Sequence, residues 1–481
     1  MSIDSQSLLE LEKQGRKESR CGGQAPWCED PQLKSQDLHG LNWIEESVAK
    51  TRRLLFEESF CHKHRSNDKA FTRKRHFTFA TSILFLMQKT IRGIQSHIHT
   101  FFDAMGQPSP GLTPSAWSQA RLKLDYKAFI ALNEEAILNV VYADRAHPQL
   151  RLWNGYRLIA IDSSLVRLPN EEALGTEFGW VECKNKSGDC GRYPQARLSI
   201  MTDVLNRIAI QTYFDPWTKG EREQAYEQIK SLVAGDLGLL DRGYAEYKLW
   251  AGLVKAFRQF VCRCQANTFA TVNHLFKENQ AGRSVVVELF PHREQMKEIG
   301  DADLPKSIKL RFVTVRLETG ELEVLATNLL DEVLYPTECF AELYHWRWGI
   351  ETYYGLLKGR LDLGNFTGLS AEAIRQDVFS TVFVSNLESL LIAPANEQLE
   401  QKSQSLEYRQ QVNHAVSFHT IKSRVIDLLL GPGTVAQVVE KIEPYFLANP
   451  TLVRPDRIVP RTKPSAWRSY NYQRNVRKAV F

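Results

Sequence analysis

The chain has 481 residues, 43% of them hydrophobic and 24% charged, the balance of an ordinary globular protein with room for two to four domains. A net charge of +5 marks no bulk polycation, and the longest apolar run, around Phe79 to Met87, is too short to cross a bilayer. Met1 to Lys13 is acidic and polar, unlike a secretion signal, and eight cysteines without a compact disulfide spacing favour a reducing compartment. A cytoplasmic protein with no membrane segment is therefore expected.

Residues 1–150 read as a mainly helical N-terminal region. Leu41 to Glu58 is a short helical candidate, and helical periodicity runs from Phe77 to about Tyr142, with Thr113 capping a helix that has Pro114 early in it. Between Lys50 and Arg75 stand nine Lys/Arg against three acids, which makes this region a candidate for binding DNA ends. Ser118 to Lys123 adds charged groups that surface solubility explains equally well. Cys21 and Cys28 with Cys61, His62 and His64 can be assembled on paper into a zinc site, but their spacings match no common motif.

The pattern changes at Trp153. In 151–257, Leu158 to Ile161 reads as a buried strand ending at Asp162. Ala196 to Thr202 and Ile208 to Tyr213 read as two strands joined by a turn at Asn206-Arg207. A helix over Glu221 to Val233, with Thr218 as cap, is followed by a short strand, Leu237 to Leu240, ending at Asp241. This is a mixed α/β layer. In 258–335 four more strand-like runs follow, Phe260 to Cys264, Ser284 to Leu289, Lys309 to Leu317 and Glu323 to Thr327, too much chain for a structureless loop. They predict a β-rich insertion in which Cys262 and Cys264 act as small buried hydrophobes. Residues 336–395 return to helix, with a segment over about Ala371 to Leu391. Residues 396–481 combine a polar stretch, Asn396 to Gln411, two short helices and a basic tail. That tail has eight Lys/Arg against one acid from Thr451 onward, beside Trp467, Tyr470 and Tyr472.

Within 336–395 the spacing Tyr344-x2-Arg347-x3-Glu351-x6-Lys358 carries the most information. Offsets of 3, 7 and 14 return to nearly one bearing on a helix of about 3.6 residues per turn. The four side chains form one stripe, and Trp346, Ile350, Tyr353, Leu357 and Leu361 gather opposite as an apolar anchor. Ordinary solvated charges on an amphipathic helix would look the same in isolation. So would Asp162 and Asp241 as turn formers, since each closes an apolar run and Asp241 precedes Arg242-Gly243. Their shared context is an apolar strand that delivers an acid to a sheet edge, where functional groups of open α/β sheets collect. With Glu351, three carboxylates can converge, a donor set suited to magnesium. Two such ions about 3.5–4 Å apart serve phosphoryl transfer. The chemistry fits a nuclease or strand transferase.

In this combination the chain resembles a bacterial cut-and-paste DDE transposase of the insertion-sequence-four family. The residues that carry the resemblance are Asp162, Asp241-Arg242-Gly243-Tyr244 and the Tyr344/Arg347/Glu351/Lys358 series. Asn365-Phe366-Thr367-Gly368 and Gln376-Asp377 also look familial, and the similarity covers roughly residues 75 to 390. The resemblance implies an RNase H-like core, a mixed sheet flanked by helices, interrupted by the β insertion. It implies Asp162, Asp241 and Glu351 as catalytic ligands of two magnesium ions, for which manganese may stand in. Tyr344, Arg347, Lys358 and Arg242 would contact DNA. The expected partners are double-stranded DNA, both terminal inverted repeats and target, and a second copy of the chain in a homodimer; the bound protein would sit on the bacterial nucleoid. Hydrolysis would free a 3′-hydroxyl that attacks the target strand.

One departure bears on mechanism. Some members cut through a DNA hairpin and hold a flipped base on a Trp of the insertion, yet this chain has no Trp between Trp250 and Trp346. Phe290, Phe312 and Tyr335 are the alternatives, because any aromatic face can stack on a base. Two other readings compete: a catalytically inactive, transposase-derived DNA-binding protein, and a glycosidase built on two of the acids, which leaves the Arg347/Lys358 stripe unexplained.

Overall fold

Short apolar runs bounded by turn residues become strands, and nearly all of them join one sheet. The computed structural model describes residues 43–73, 75–89, 93–107, 111–184, 190–317 and 320–454. Cys21, Cys28, Trp467, Tyr470 and Tyr472 lie outside the described residues. The strands are β1 (Arg157–Arg167), β2 (Trp180–Lys184), β3 (Cys190–Asp203), β4 (Ile208–Pro216), β5 (Asp236–Leu240), β6 (Gln259–Cys264), β7 (Ser284–Leu289), β8 (Ile308–Arg316) and β9 (Leu322–Thr327). Chain contacts divide the protein into two compact units: 1–145 with 167–194 and 356–481, and 146–166 with 195–355.

The second unit holds the sheet. Its strands run in the order β4-β3-β1-β5-β6-β9-β8-β7. β3 and β4 form an antiparallel hairpin that turns at Arg207, whose backbone is left-handed (φ 56°). β1, β5 and β6 are parallel. β4-β3-β1-β5-β6 is a mixed sheet flanked by helices, the arrangement expected of an RNase H-like core. The run expected as a β insertion forms no sheet of its own: β9 pairs antiparallel with β6, and β8 and β7 follow, so it widens the same sheet. β5 is buried at every position, as a parallel strand covered on both faces must be. Cys262 and Cys264 are buried, unpaired thiols in the core beside Trp250 and Phe260. The helix after β4 spans Glu221–Ile229 and starts from Gly220, not Thr218, with no side-chain cap.

Where β1 and β5 begin, Arg157 and Asp236 form a buried two-pronged ion pair, Nε to Oδ1 and Nη2 to Oδ2, both 2.8 Å. It aligns the two strands at their first paired residues.

The first unit is mostly helical, and Thr113 caps the Pro114–Arg121 helix through the Ala116 N–H as its sequence suggests. Its long helix, Ala371–Lys402, extends well past Leu391. Among the described residues it alone is long and apolar enough to cross a membrane, and 83% of its apolar window is buried in the protein. His414–Leu430 and Val435–Ala448 follow as full helices. β2, unanticipated because its charges break the alternation, pairs with the first residues of β3 from Trp180↔Pro194 to Lys184↔Cys190.

The motifs around 367 and 376 find a structural explanation here. Arg121 is buried, and it donates to Gln376 (2.7 Å), Thr367 (2.7 Å) and Asp377 (2.9 Å). A side chain on Gly368 would meet Ala373 Cβ at 2.5 Å and Arg121 Nη1 at 3.0 Å, so only glycine fits beside the guanidinium. Arg121 is thus a core ion-pair residue and not a surface charge. In the 50–75 cluster, Lys63, Lys69, Arg73 and Arg75 are exposed, whereas Arg52 donates to the Leu428 carbonyl.

Two lysines of this unit are also inward. Lys89 Nζ donates to the carbonyls of Asp362 (3.0 Å) and Leu363 (3.3 Å), and Lys422 Nζ donates to that of Lys89 (3.1 Å). Burial pushes both ammonium groups down to about 8.

Two predictions follow from these buried charges. Arg157→Met strands Asp236 and should cost about 3–5 kcal/mol in urea denaturation. For the lysines, the unfolded chain keeps both protons up to about pH 10.4 while the folded chain has released them. Unfolding free energy should therefore rise from about pH 8 to pH 10, and Lys422→Met should flatten that rise when urea midpoints are measured across the window.

Candidate active site

Register decides where the two aspartates fall. β1 and β5 pair in parallel from Arg157↔Asp236 to Ala160↔Leu239. Asp162 and Asp241 each stand two residues beyond that last pair, and a period of two returns them to the face of Ala160 and Leu239. Adjacent strands lie about 4.8 Å apart, so the sheet brings both acids to one level on neighbouring strands. The expectation that the first strand ends at Asp162 needs correction. β1 runs on to Arg167 because β3 still lies along its other edge; only its burial breaks after Ile161. Asp241 does end β5, and its carbonyl accepts the Tyr244 N–H of the following turn (2.9 Å).

Glu351 arrives on the Trp348–Gly359 helix, and a tyrosine one turn later ties that helix down. The Tyr354 hydroxyl donates to the carbonyls of Asp162 (2.8 Å) and Leu198 (3.0 Å), gripping β1 and β3 at the level of the acid. Gly349 allows close approach, since a Cβ there would lie 3.1 Å from Val204 Cβ. A second tyrosine acts on the other strand: Tyr344 donates to the Leu240 carbonyl (3.3 Å), one residue before Asp241.

The single exposed stripe expected for Tyr344, Arg347, Glu351 and Lys358 is not what forms. The segment is two helices, Cys339–His345 and Trp348–Gly359, broken at Trp346-Arg347. Tyr344 (2% exposed) and Arg347 (4%) are buried, so as placed neither presents a DNA-contacting surface. Burying the phenol satisfies the Leu240 carbonyl, and the Arg347 guanidinium lies over the rings of Trp348 (4.9 Å) and Tyr344 (5.6 Å). Ile350, Tyr353, Leu357 and Leu361 are buried as anchors, but Trp346 is exposed. Arg242 and Lys358 are exposed; Lys358 belongs to the first unit, the other site candidates to the second. Among the aromatic alternatives, Phe312 and Tyr335 are buried and only Phe290 (62% exposed) is open to stacking.

Electrostatically the site holds more acid than base. Burial pushes the Asp162 carboxyl up to about 6. The Ser163 N–H on its Oδ1 (2.8 Å) and the charge of Arg347 oppose that shift, while Glu221 and Glu351 reinforce it. Glu221 accepts the hydroxyl of buried Tyr244 (2.8 Å). Arg347 Nη2 pairs with Glu351 Oε1 at 3.0 Å. Asp241 Oδ1 is buried with no hydrogen-bond partner among the described residues.

These residues fit a hard divalent cation. The donors are carboxylate oxygens, one of them an orphaned buried atom, and their mutual repulsion is what a cation would relieve. No three His, Cys, Asp or Glu side chains among the described residues form a ready-made cage, here or around Cys61, His62 and His64. Sequence reading missed Tyr354, Glu221 and Glu323, and named Tyr244 only as part of the Asp241-Arg242-Gly243-Tyr244 motif. For Tyr354 a signal existed, since it lies one turn from Glu351; for Glu221 and Glu323 no spacing links them to the acids.

A mixed sheet with two aspartates on neighbouring strands and a glutamate on a later helix is the arrangement expected of a DDE-type site. Residues 153–387 match the family described as "Transposase DDE domain". That match and the relatives below support a DDE transposase of the insertion-sequence-four type. It is 23% identical over 284 residues to "Transposase InsG for insertion sequence element IS4" of Escherichia coli (strain K12), a match covering 58% of this chain and 61% of the relative. It is 27% identical over 152 residues to "Putative transposase y4zB" of Sinorhizobium fredii, covering 32% of this chain and 41% of that protein. The matched stretches thus span less than two thirds of either relative. A piggyBac transposase synaptic complex with hairpin DNA superposes with a TM-score of 0.40 at 10% identity, over 83% of this chain and 85% of that one.

Tyr354→Phe removes the donor that two carbonyls share and should cost about 1–2 kcal/mol of stability by urea denaturation. A variant as stable as wild type would show that this hydroxyl does not tie the helix to the sheet.

Proposed function

We propose that the protein cleaves DNA at the terminal inverted repeats of an insertion sequence and transfers the freed ends into target DNA. The observation that carries this reading is the level placement of Asp162 and Asp241 on adjacent parallel strands, with the Glu351 helix tied to the first of them by Tyr354. In this reading Asp162, Asp241 and Glu351 would hold two magnesium ions, or manganese in their place. When bound, such ions supply Lewis acidity toward the attacking oxygen and the leaving oxygen of an in-line displacement.

The chain's own groups divide the remaining work. Tyr354 and Tyr344 hold the acid-bearing backbone in place as neutral donors, since burial pushes both phenols well above their usual range. Exposed Arg242 and Lys358 neutralise DNA phosphate. Tyr344 and Arg347 act from inside, Arg347 by pairing with Glu351 before a cation enters. Residues 1–150, with exposed Lys63, Lys69, Arg73 and Arg75, bind the transposon end. Hydrolysis adds water oxygen to the scissile phosphorus and releases a 3′-hydroxyl. That hydroxyl then displaces a strand oxygen of the target phosphodiester, within a homodimer that pairs the two ends.

A descendant that binds DNA without cutting has one observation behind it: the acids form no ready-made cage and Glu351 is paired with Arg347. Cleavage of a labelled duplex carrying the element's own terminal repeat separates the two readings. Magnesium-dependent cutting at the repeat boundary is expected, falling to background in Asp162→Asn, Asp241→Asn and Glu351→Gln while the gel shift persists. A gel shift without cutting by the wild-type protein would establish the binding-only reading. Wild-type cutting by any of the three variants would remove that acid from the assignment.

A further inference from the structure

Arg347 presents a problem of charge. It is buried, and its Glu351 partner is one of the acids proposed to hold a cation. If Glu351 turns to a metal, a guanidinium in the protein interior loses its counter-ion, and a stranded buried charge is among the costliest defects a fold can carry. Arg347 already has an unsatisfied atom, since its Nε is buried without a hydrogen-bond partner among the described residues. Some acceptor must lie ready.

Glu323 has the properties of that acceptor. It sits on β9, only 2% exposed, in the strand that extends the sheet past β6. One carboxylate oxygen takes the Arg263 guanidinium at 2.9 Å. The other, Oε2, is buried and has no hydrogen-bond partner among the described residues. Leu240 pairs with Cys262 and Val324 with Cys264 on the strand between, so Glu323 and Asp241 stand at the same end of the sheet, where the charges of Arg263 and Arg347 oppose the upward push of burial on the Glu323 carboxyl. The other acids coupled to Arg347, namely Asp162, Asp241 and Glu351, are themselves proposed ligands and cannot neutralise Arg347 while holding a cation. Glu323 is the acid left over.

We propose that Glu323 is a positioning residue of this site: it receives the Arg347 guanidinium on its orphaned Oε2 and so frees Glu351 to bind a divalent cation. The inference rests on the metal-dependent reading proposed above. It assigns a task to a residue outside the three-acid set, with no contact to DNA or metal. Arg263 tunes the exchange, because it holds the other oxygen of the same carboxylate.

The test is manganese binding to the full-length protein without DNA, following free Mn²⁺ by electron paramagnetic resonance. Glu323→Gln should weaken binding by about tenfold or more, because Arg347 then has nowhere to go when Glu351 leaves it. In an Arg347→Met background no cation is stranded, and adding Glu323→Gln should change affinity by less than about twofold. Arg263→Gln moves the other way and keeps the idea testable if Glu323→Gln does not fold: a carboxylate freed from Arg263 competes harder for Arg347 and should tighten manganese binding. Wild-type affinity in Glu323→Gln, alongside lost affinity in Glu351→Gln, would overturn the inference and leave the metal reading intact. An equal effect of Glu323→Gln in both backgrounds would reduce Glu323 to a general field effect and likewise overturn it, as would unchanged or weaker binding in Arg263→Gln. Unaltered binding in Glu351→Gln would remove the metal reading and the inference together.

Discussion

Two tyrosine hydroxyls hold this site together. Tyr354 donates to the carbonyl of Asp162 and Tyr344 to the carbonyl just before Asp241, so a broken helix pair is pinned to both strands at the level of the aspartates. The strands supply level and spacing by register alone, but a sheet cannot by itself recruit a third acid from residues more than a hundred positions later. A buried phenol can. It must find an acceptor, and the backbone carbonyls at the level of the aspartates supply one. Each hydrogen bond is modest in energy, yet its direction fixes which turn of the helix faces the acids, and Glu351 rides on that turn.

Charge is the second constraint. Asp162, Asp241, Glu351 and Glu323 share the buried Arg347 as a cation, and Glu221 adds to the acid around Asp162. An excess of carboxylates out of water is unfavourable for the empty protein and favourable for any hard cation that enters. The orphaned Oδ1 of Asp241, the orphaned Oε2 of Glu323 and the orphaned Nε of Arg347 are signs of the same imbalance. In the proposed reading, cation binding would recover stability given up locally, a pattern common to functional sites.

How much of this was legible depends on the kind of signal. Asp162 and Asp241 could be read because each ends a run of apolar residues, and a buried strand announces itself in composition. Glu351 could be read from its spacing to Tyr344, Arg347 and Lys358, but the same spacing suggested one exposed stripe where the protein builds two helices and buries half of it. Helical periodicity says which residues share a bearing; it does not say whether that bearing meets solvent or a sheet. Arg121 shows the same limit. In sequence it is one charge in a polar stretch, and only folding brings Thr367, Gln376 and Asp377 around it from about 250 residues away.

Taken alone, the sequence determined most of the strands, the α/β class, the resemblance to a transposase family and three candidate acids, because each rests on local composition, on short spacings or on resemblance to a known pattern. The tertiary structure decided that the expected insertion widens the core sheet, that Tyr344 and Arg347 face inward, and that Tyr354, Glu221 and Glu323 belong to the neighbourhood of the acids. These are properties of contacts between segments far apart in the chain. Whether a polar side chain is a surface group or a buried brace depends on which unsatisfied carbonyl or carboxylate folding brings to it, and no local pattern contains that information.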